Sequence, residues 1–360
     1  MGSHAIPLFI GSTNGNSGKT LLSIVLGRLL QQQGYGIGYI RVLGKSLVFR
    51  DNRLYDMDAE IVRKALGLED HVERMSPILL TQDLVASVLE GKAYHGLTRF
   101  KESYREVSAG KDVMLINGAP DLYEGLMMGI SSLMVIKALD APTVLLDPYR
   151  DEVCVDCILS AKESLGKRLA GVILGMVSPD GMEHTRNSVA PYLEKQGIKV
   201  FGIVPRMPIL ESVTVKQISE AIDGEVLSGQ DRLDALVENI VVGAMDVESA
   251  LRYFIKKKNK AVITGANRAD IITAALETST KCLVLTGDIL PNEIVLGRAR
   301  TMDVPVVHVK DDTLSTITKL ESIMGKIRVV REDQIKKAHD IAGQYIDMKA
   351  LFRAAGITVK

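Results

Sequence analysis

Ten residues near the N-terminus, Gly11-Ser12-Thr13-Asn14-Gly15-Asn16-Ser17-Gly18-Lys19-Thr20, have the types and spacing that phosphate chemistry needs. Glycines let backbone N–H groups turn inward around phosphate oxygens, and a helix opening behind them adds the positive end of its dipole. Lys19 supplies a point charge for the β- and γ-phosphates, and Thr20 a hydroxyl for Mg²⁺. Thr13, Asn14, Gly15, Asn16, Ser17, Gly18, Lys19 and Thr20 are therefore the expected nucleotide contacts, and Lys19 is the expected catalytic group. In the G-x-x-x-x-G-K-[ST] spacing the first glycine falls where Thr13 stands, between Gly11 and Gly15. A glycine-rich turn without a ligand is the competing reading. Ser-Gly-Lys-Thr, placed between a strand pattern and a helix pattern, argues against it.

Three other groups could do chemistry. Asp56 and Asp58 lie in Asp-Met-Asp, and a spacing of two in an extended segment puts both side chains on one face. The plainer reading is a helix cap and first-turn acid. Cys154 and Cys157 form a C-x-x-C, but two ligands need a second copy of the chain to complete a tetrahedral zinc site. Two small residues on a buried helix are the simpler expectation. Arg268 and Asp270, in Gly265-Ala266-Asn267-Arg268-Ala269-Asp270, follow a strand and precede a helix. That is where α/β sheets bind ligands, so they are candidate contacts for a small-molecule effector, with capping and turn roles as the alternative. The histidines show no ligand spacing.

The elements that must position these groups alternate. Strands are expected at 5–10, 36–42, 113–117, 143–146, 169–177 and 199–204, with helices at 20–33 and 154–165 among them. Such alternation implies βαβ units and a parallel sheet with helices on both faces. After Pro208 the rhythm restarts, with helical patterns at 213–222 and 247–257, a turn-rich strand at 224–229 and strands at 261–264, 281–286 and 304–308. Val241-Val242-Gly243-Ala244-Met245 suits either a core strand or packing across a two-fold axis. From about Glu332 a charge-rich helical tail is expected. The fold class is α/β: a parallel-sheet P-loop domain over residues 1–212, a smaller α/β domain over 213–345, and a C-terminal tail over 346–360.

Composition narrows the function. Of 360 residues, 46% are hydrophobic and 24% charged, with 44 acidic and 44 basic side chains. A neutral chain has no global field for nucleic acid or an anionic membrane, so neither is an expected partner. The basic run Lys256–Lys260 reads as a solvated loop. No apolar stretch reaches the roughly 18 residues of a membrane span. Met1-Gly2-Ser3-His4 reads as a tag remnant, and three cysteines give no disulfide framework, which suits a reducing cytoplasm.

Gly-Ser-Thr-x-Gly-x-Ser-Gly-Lys-Thr, then Gly38-Tyr39-Ile40-Arg41, Gly171-Val172-Ile173-Leu174 and Gly202-Ile203-Val204-Pro205, resemble the dethiobiotin-synthetase-like P-loop domain. Val242-Gly243-Ala244-Met245, Ile263–Asp270, Leu285-Thr286-Gly287-Asp288 and Asp311-Asp312-Thr313 resemble the DRTGG domain. The pairing is similar to the N-terminal regulatory part of long bacterial phosphotransacetylases. The resemblance implies ATP and Mg²⁺ as cofactors, Pro205 near the nucleotide and an acid such as Asp58 near the metal. It also implies a homodimer and a regulatory role in acyl-phosphate or coenzyme A metabolism. No phosphotransacetylase activity is expected, because the acyltransferase domain would need some 300 further residues.

Arg41 stands where the synthetases carry a Lys. A guanidinium fork suits phosphate contact better than the handling of a nucleophilic amine, so Arg41 is a second catalytic candidate. Asn117-Gly118-Ala119 stands where that family has Glu-Gly-Ala, with Asp121 and Glu124 as substitute carboxylates. Gly175 replaces the Asn used near adenine, which leaves the base open. A slow ATPase regulator is the first reading, and an ATP-dependent ligase of the dethiobiotin synthetase or cobyrinate amide synthase type is the second.

Overall fold

The computed structural model describes residues 5–15, 17–50, 52–321 and 332–358. The chain divides into two units, Met1–Arg206 with Arg328–Lys360, and Met207–Ile327.

The first unit is built on six parallel strands in the order β2-β5-β1-β6-β7-β8. They are β1 (Ile6–Gly11), β2 (Ile37–Arg41), β5 (Val113–Asn117), β6 (Thr143–Pro148), β7 (Leu169–Val177) and β8 (Val200–Pro205). Between β2 and β5 lies a two-stranded antiparallel hairpin, β3 (Leu47–Arg50) and β4 (Arg53–Asp56). Every residue of β2, β5 and β6 is buried. Strands covered on both faces read as continuous apolar runs, which is why these segments were legible. The helix α1 (Lys19–Gln32) starts at the end of the loop after β1, and α2 (Met57–Leu66) follows the hairpin.

The second unit carries a sheet in the order β10-β15-β14-β13-β12. Its strands are β10 (Glu225–Ser228), β12 (Asn239–Val242), β13 (Lys260–Gly265), β14 (Thr280–Thr286) and β15 (Val306–Val309). Only β10 runs antiparallel to its neighbour. A small pair, β9 (Val213–Thr214) with β11 (Leu236–Val237), sits beside it. The helix expected from 213 starts at Val215, because Thr214 caps it with a full capping box to Gln217.

Three expectations need correction. The charge-rich segment after Glu332 does not belong to the second domain, nor is it a free tail. It forms helices Glu332–Tyr345 and Met348–Ala354, and their apolar stripes (Ile335, Ile341, Leu351, Phe352) are buried in the first unit. Arg28 of α1 holds Glu332 with two bonds of 2.7 and 3.0 Å. Ile346 bridges the edge strand β8 at Gly202, and Asp347 N–H donates to Phe201 O at 2.7 Å. A Cβ on Gly202 would lie 2.3 Å from Tyr345 O, so glycine lets the returning chain dock.

The second correction concerns Val241–Met245. Its first half is β12, paired with β13 and buried at Val241, so the two-fold reading loses its sequence support there. The third concerns the basic run: Lys256–Lys258 are exposed, but Lys260 is wholly buried as the first residue of β13. Its Nζ donates to Thr278 Oγ1 at 2.8 Å, and burial pushes the ammonium down to about 8.

Candidate nucleotide site

Parallel strands deliver their next residues to one edge of the sheet, and here that edge collects the candidates. The register places Arg41 of β2 beside Asn117 of β5, and Asn117 beside Ile10, the residue before Gly11. On the other side of β1, β6 carries Asp147 as its penultimate residue. The phosphate loop thus runs between Asn117 and Asp147.

Gly18 caps α1 at φ 86°, a left-handed conformation that a side chain would strain. Lys19 and Thr20 open the helix, Lys19 buried and Thr20 half-buried. Lys19 Nζ meets Ser17 Oγ at 3.3 Å. Burial, and then the Arg41 charge, push the Lys19 ammonium down to about 8; Asp147, Asp121 and Asp58 oppose the shift. A compressed cation of this kind gains from an arriving phosphate. Asn14 and Gly15 are exposed and Thr13 is half-buried. Asn16 lies outside the described residues.

Thr13 keeps φ out of the left-handed region, so this turn does not need the glycine the motif would place there. Its N–H donates to Asp147 Oδ1 at 2.6 Å, and Ser12 Oγ meets the same oxygen at 2.9 Å. Asp147 was not foreseen. Its signal was a lone acid at the carboxyl end of an otherwise apolar strand. Burial raises its carboxyl above the usual range against the pull of the Thr13 N–H, the Ser12 hydroxyl and Lys19.

Arg41 is buried and already paired. Its Nη1 lies 2.7 Å from Asp58 Oδ2, its Nε 3.7 Å from Asp56 Oδ1, and Nε donates to Leu43 O at 3.0 Å. Asp56 caps α2 through Ala59 N–H at 3.0 Å and takes the N–H groups of Lys45 and Ser46 at 2.9 and 3.0 Å. Asp58 follows in the first turn and also receives Ser46 Oγ at 3.2 Å. Of the two acids, Asp56 is the one consumed by backbone, and Asp58 faces Arg41. Asp121 Oδ1 accepts the N–H groups of Tyr123 and Glu124, both at 2.7 Å, and Glu124 pairs with Lys45. Pro205, at the end of β8, is half-buried.

Several buried polar atoms here find no hydrogen-bond partner among the described residues: both amide atoms of Asn117, Asp147 Oδ2, Thr13 Oγ1 and Tyr39 Oη. Native interiors leave few such atoms, and a ligand or hydrated ion would satisfy them. Thr20, next to Lys19, and Asp58, whose charge is felt at Lys19, are the residues that could hold Mg²⁺ on a nucleotide. No cluster of three or more His, Cys, Asp or Glu suited to a metal occurs among the described residues. Cys154 is buried, its thiol pushed up to about 12 by burial, and Cys157 is half-buried.

Two family models match this chain. An AAA domain covers residues 7–214, the unit that carries the phosphate loop. The chain belongs to the AAA domain family. A DRTGG domain follows at residues 217–323, so the expected pairing of a P-loop domain with a DRTGG domain holds.

The phosphate acetyltransferase of Synechocystis sp. is 24% identical over 378 residues, which are 98% of this chain and 53% of that protein. The chain spans about half the length of the phosphate acetyltransferases it matches. The ATP-dependent dethiobiotin synthetase BioD of Clostridium perfringens (strain 13 / Type A) is 23% identical over 225 residues, 60% of this chain and 98% of that protein. Among solved structures, the MinD cell division protein of Aquifex aeolicus aligns at TM-score 0.35 and 17% identity, covering 57% of this chain and 84% of that one. The CBS and DRTGG domains of the Clostridium perfringens pyrophosphatase regulatory region, complexed with diadenosine tetraphosphate, align at TM-score 0.30 and 15% identity, covering 45% and 78%.

Outside the AAA domain, Arg268 and Asp270 hold each other through two bonds of 3.0 Å on the loop after β13. A further Arg268 nitrogen contact reaches Met245 O at 3.0 Å. Among the described residues no helix is long and apolar enough to cross a membrane.

Proposed function

We propose that this chain binds ATP with Mg²⁺ at the Gly11–Thr20 loop and acts as a nucleotide-dependent regulator. The DRTGG domain would take the effector, and the link would be to acyl-phosphate or coenzyme A metabolism. The carrying observation is Lys19, buried at the first turn of α1, with Gly18 before it in the left-handed conformation the loop requires. Calorimetric titration with ATP and Mg²⁺ tests it, and a protein that takes up no nucleotide would sink it. The link to acyl metabolism rests on the phosphate acetyltransferase relatives. The cytoplasm is its proposed location.

Turnover should be slow, well under the roughly 10 s⁻¹ of a typical enzyme, because a neutral amide stands at Asn117. Asn117→Asp is isosteric and supplies a hard oxygen beside the loop, so it should raise phosphate release several-fold. A wild-type rate in the ordinary enzyme range would favour the second reading, an ATP-dependent ligase. The near-complete coverage of BioD supports that reading. In it, Arg41 would orient an anionic acceptor, although Asp58 already occupies its fork.

The effector site proposed on the DRTGG domain is the loop bearing Arg268 and Asp270. To admit an anion, the pair must open, and Asp270 leaves while Arg268 stays. A homodimer is also proposed, since coupling two sites is simplest in a symmetric assembly. Light scattering at micromolar concentration should give twice the chain mass; a monomer would end the idea.

A further inference from the structure

Asp147 stands apart from the residues expected to contact the nucleotide. It is completely buried at the carboxyl end of β6. One of its oxygens, Oδ1, accepts the Thr13 N–H at 2.6 Å and lies 2.9 Å from Ser12 Oγ, whose one proton it shares with Asn14 O. Ser12 Oγ in turn accepts the Asn14 N–H at 3.1 Å. The other oxygen, Oδ2, is buried and has no partner among the described residues, and so is Thr13 Oγ1. Three successive loop residues are thus tied to one carboxylate on the neighbouring strand.

A loop that wraps phosphate must aim later N–H groups inward, and each peptide plane is fixed by the one before it. A glycine at position 13 would reach such a bend through its own conformational freedom. Thr13 lacks that freedom, and its N–H is instead drawn outward to β6. We propose that Asp147 is a positioning residue for nucleotide binding, a clasp that sets the entry turn of the phosphate loop in place of the missing glycine. The inference rests on the reading that this loop takes a triphosphate.

The clasp works by accepting hydrogen bonds and not by charge. A carboxylate beside the loop repels incoming phosphate, so its charge counts against the ligand. Asparagine at the same place keeps a carbonyl oxygen for Thr13 N–H and Ser12 Oγ and removes the repulsion.

The test is titration with ATP and Mg²⁺ of the full chain carrying Asp147→Ala, Asp147→Asn and Lys19→Ala, with circular dichroism melts of each free protein. Asp147→Ala, which loses two hydrogen bonds, should bind about tenfold more weakly. Asp147→Asn should bind as well as the wild type or better. Wild-type affinity in Asp147→Ala, with Lys19→Ala weakened roughly 100-fold, overturns the clasp and leaves the nucleotide reading standing. Asp147→Asn as weak as Asp147→Ala also overturns it, because charge would then be the cause. If Asp147→Ala does not fold, Ser12→Ala decides: it removes one of the two contacts and should weaken binding about threefold. Wild-type affinity in Ser12→Ala then overturns the clasp. A wild-type protein without nucleotide affinity overturns both readings together.

Discussion

Lys19→Ala protein folds normally and loses triphosphate binding by roughly 100-fold, the worth of one strong charge-assisted contact. The fold should survive, because among the described residues Lys19 Nζ has one hydrogen bond, to Ser17 Oγ at 3.3 Å, and its burial penalises the charged form. The sign is fixed by the direction of that shift. A lysine whose folded value is near 8, below the ordinary 10.5, costs stability while both states are charged, and the cost fades as pH rises from 8 to 10.5. Removing it therefore does not lower the melting temperature of the free protein at neutral pH. In the wild type, ATP affinity should fall as pH climbs past about 8, since binding then requires proton uptake at Lys19. In Lys19→Ala that slope disappears. Calorimetry at pH 7, 8 and 9 on both proteins reads all of this, and equal affinities would remove the phosphate-loop assignment.

A chain cut after Ile327 should lose the fold of its AAA domain, although that domain's family match ends at residue 214. Ile335, Ile341, Leu351, Phe352 and Ile357 are each at most 5% exposed in the first unit. Burying one such side chain contributes roughly 1.5–3 kcal/mol, so together they supply about 8–15 kcal/mol. The net stability of a whole domain is only about 5–15 kcal/mol. Loss of the segment therefore removes the margin. Residues 207–327 alone should melt cooperatively, because their buried clusters around Val241–Val306 and Val213–Leu320 are complete within them. Thermal melts followed by circular dichroism compare the two pieces. A 1–327 protein with the full chain's midpoint would contradict the packing.

The sequence made some of this legible and hid the rest for physical reasons. The strands at 113–117 and 169–177 match their expected bounds, since a strand buried on both faces is apolar throughout. The hairpin β3–β4 was missed: Leu47–Arg50 grades from half-buried to exposed, with Phe49 in solvent, so no alternation marks it. The returning helices read as a charge-rich tail because charge dominates their composition, and only the spacing of Ile335, Ala338, Ile341 and Ala342 betrays a buried stripe. Around the site, Lys19, Gly18 and Thr20 were legible because a loop-to-helix phosphate motif is local in sequence. Asp147 was not, since its partners Ser12 and Thr13 lie more than a hundred residues away. The pairing of Arg41 with Asp58 is likewise a property of the hairpin between them.

The return of the chain to β8 has a consequence for synthesis. On the ribosome the first six-stranded sheet emerges early, yet its edge at Gly202 and the outer face of α1 stay uncovered until the whole DRTGG domain has followed. At translation speeds of about 5–20 residues per second that interval lasts many seconds. An open strand edge is a template for pairing with other chains. The nascent protein therefore passes through a window in which that edge is open to pairing with other chains, and slower synthesis of the DRTGG domain would lengthen the exposure.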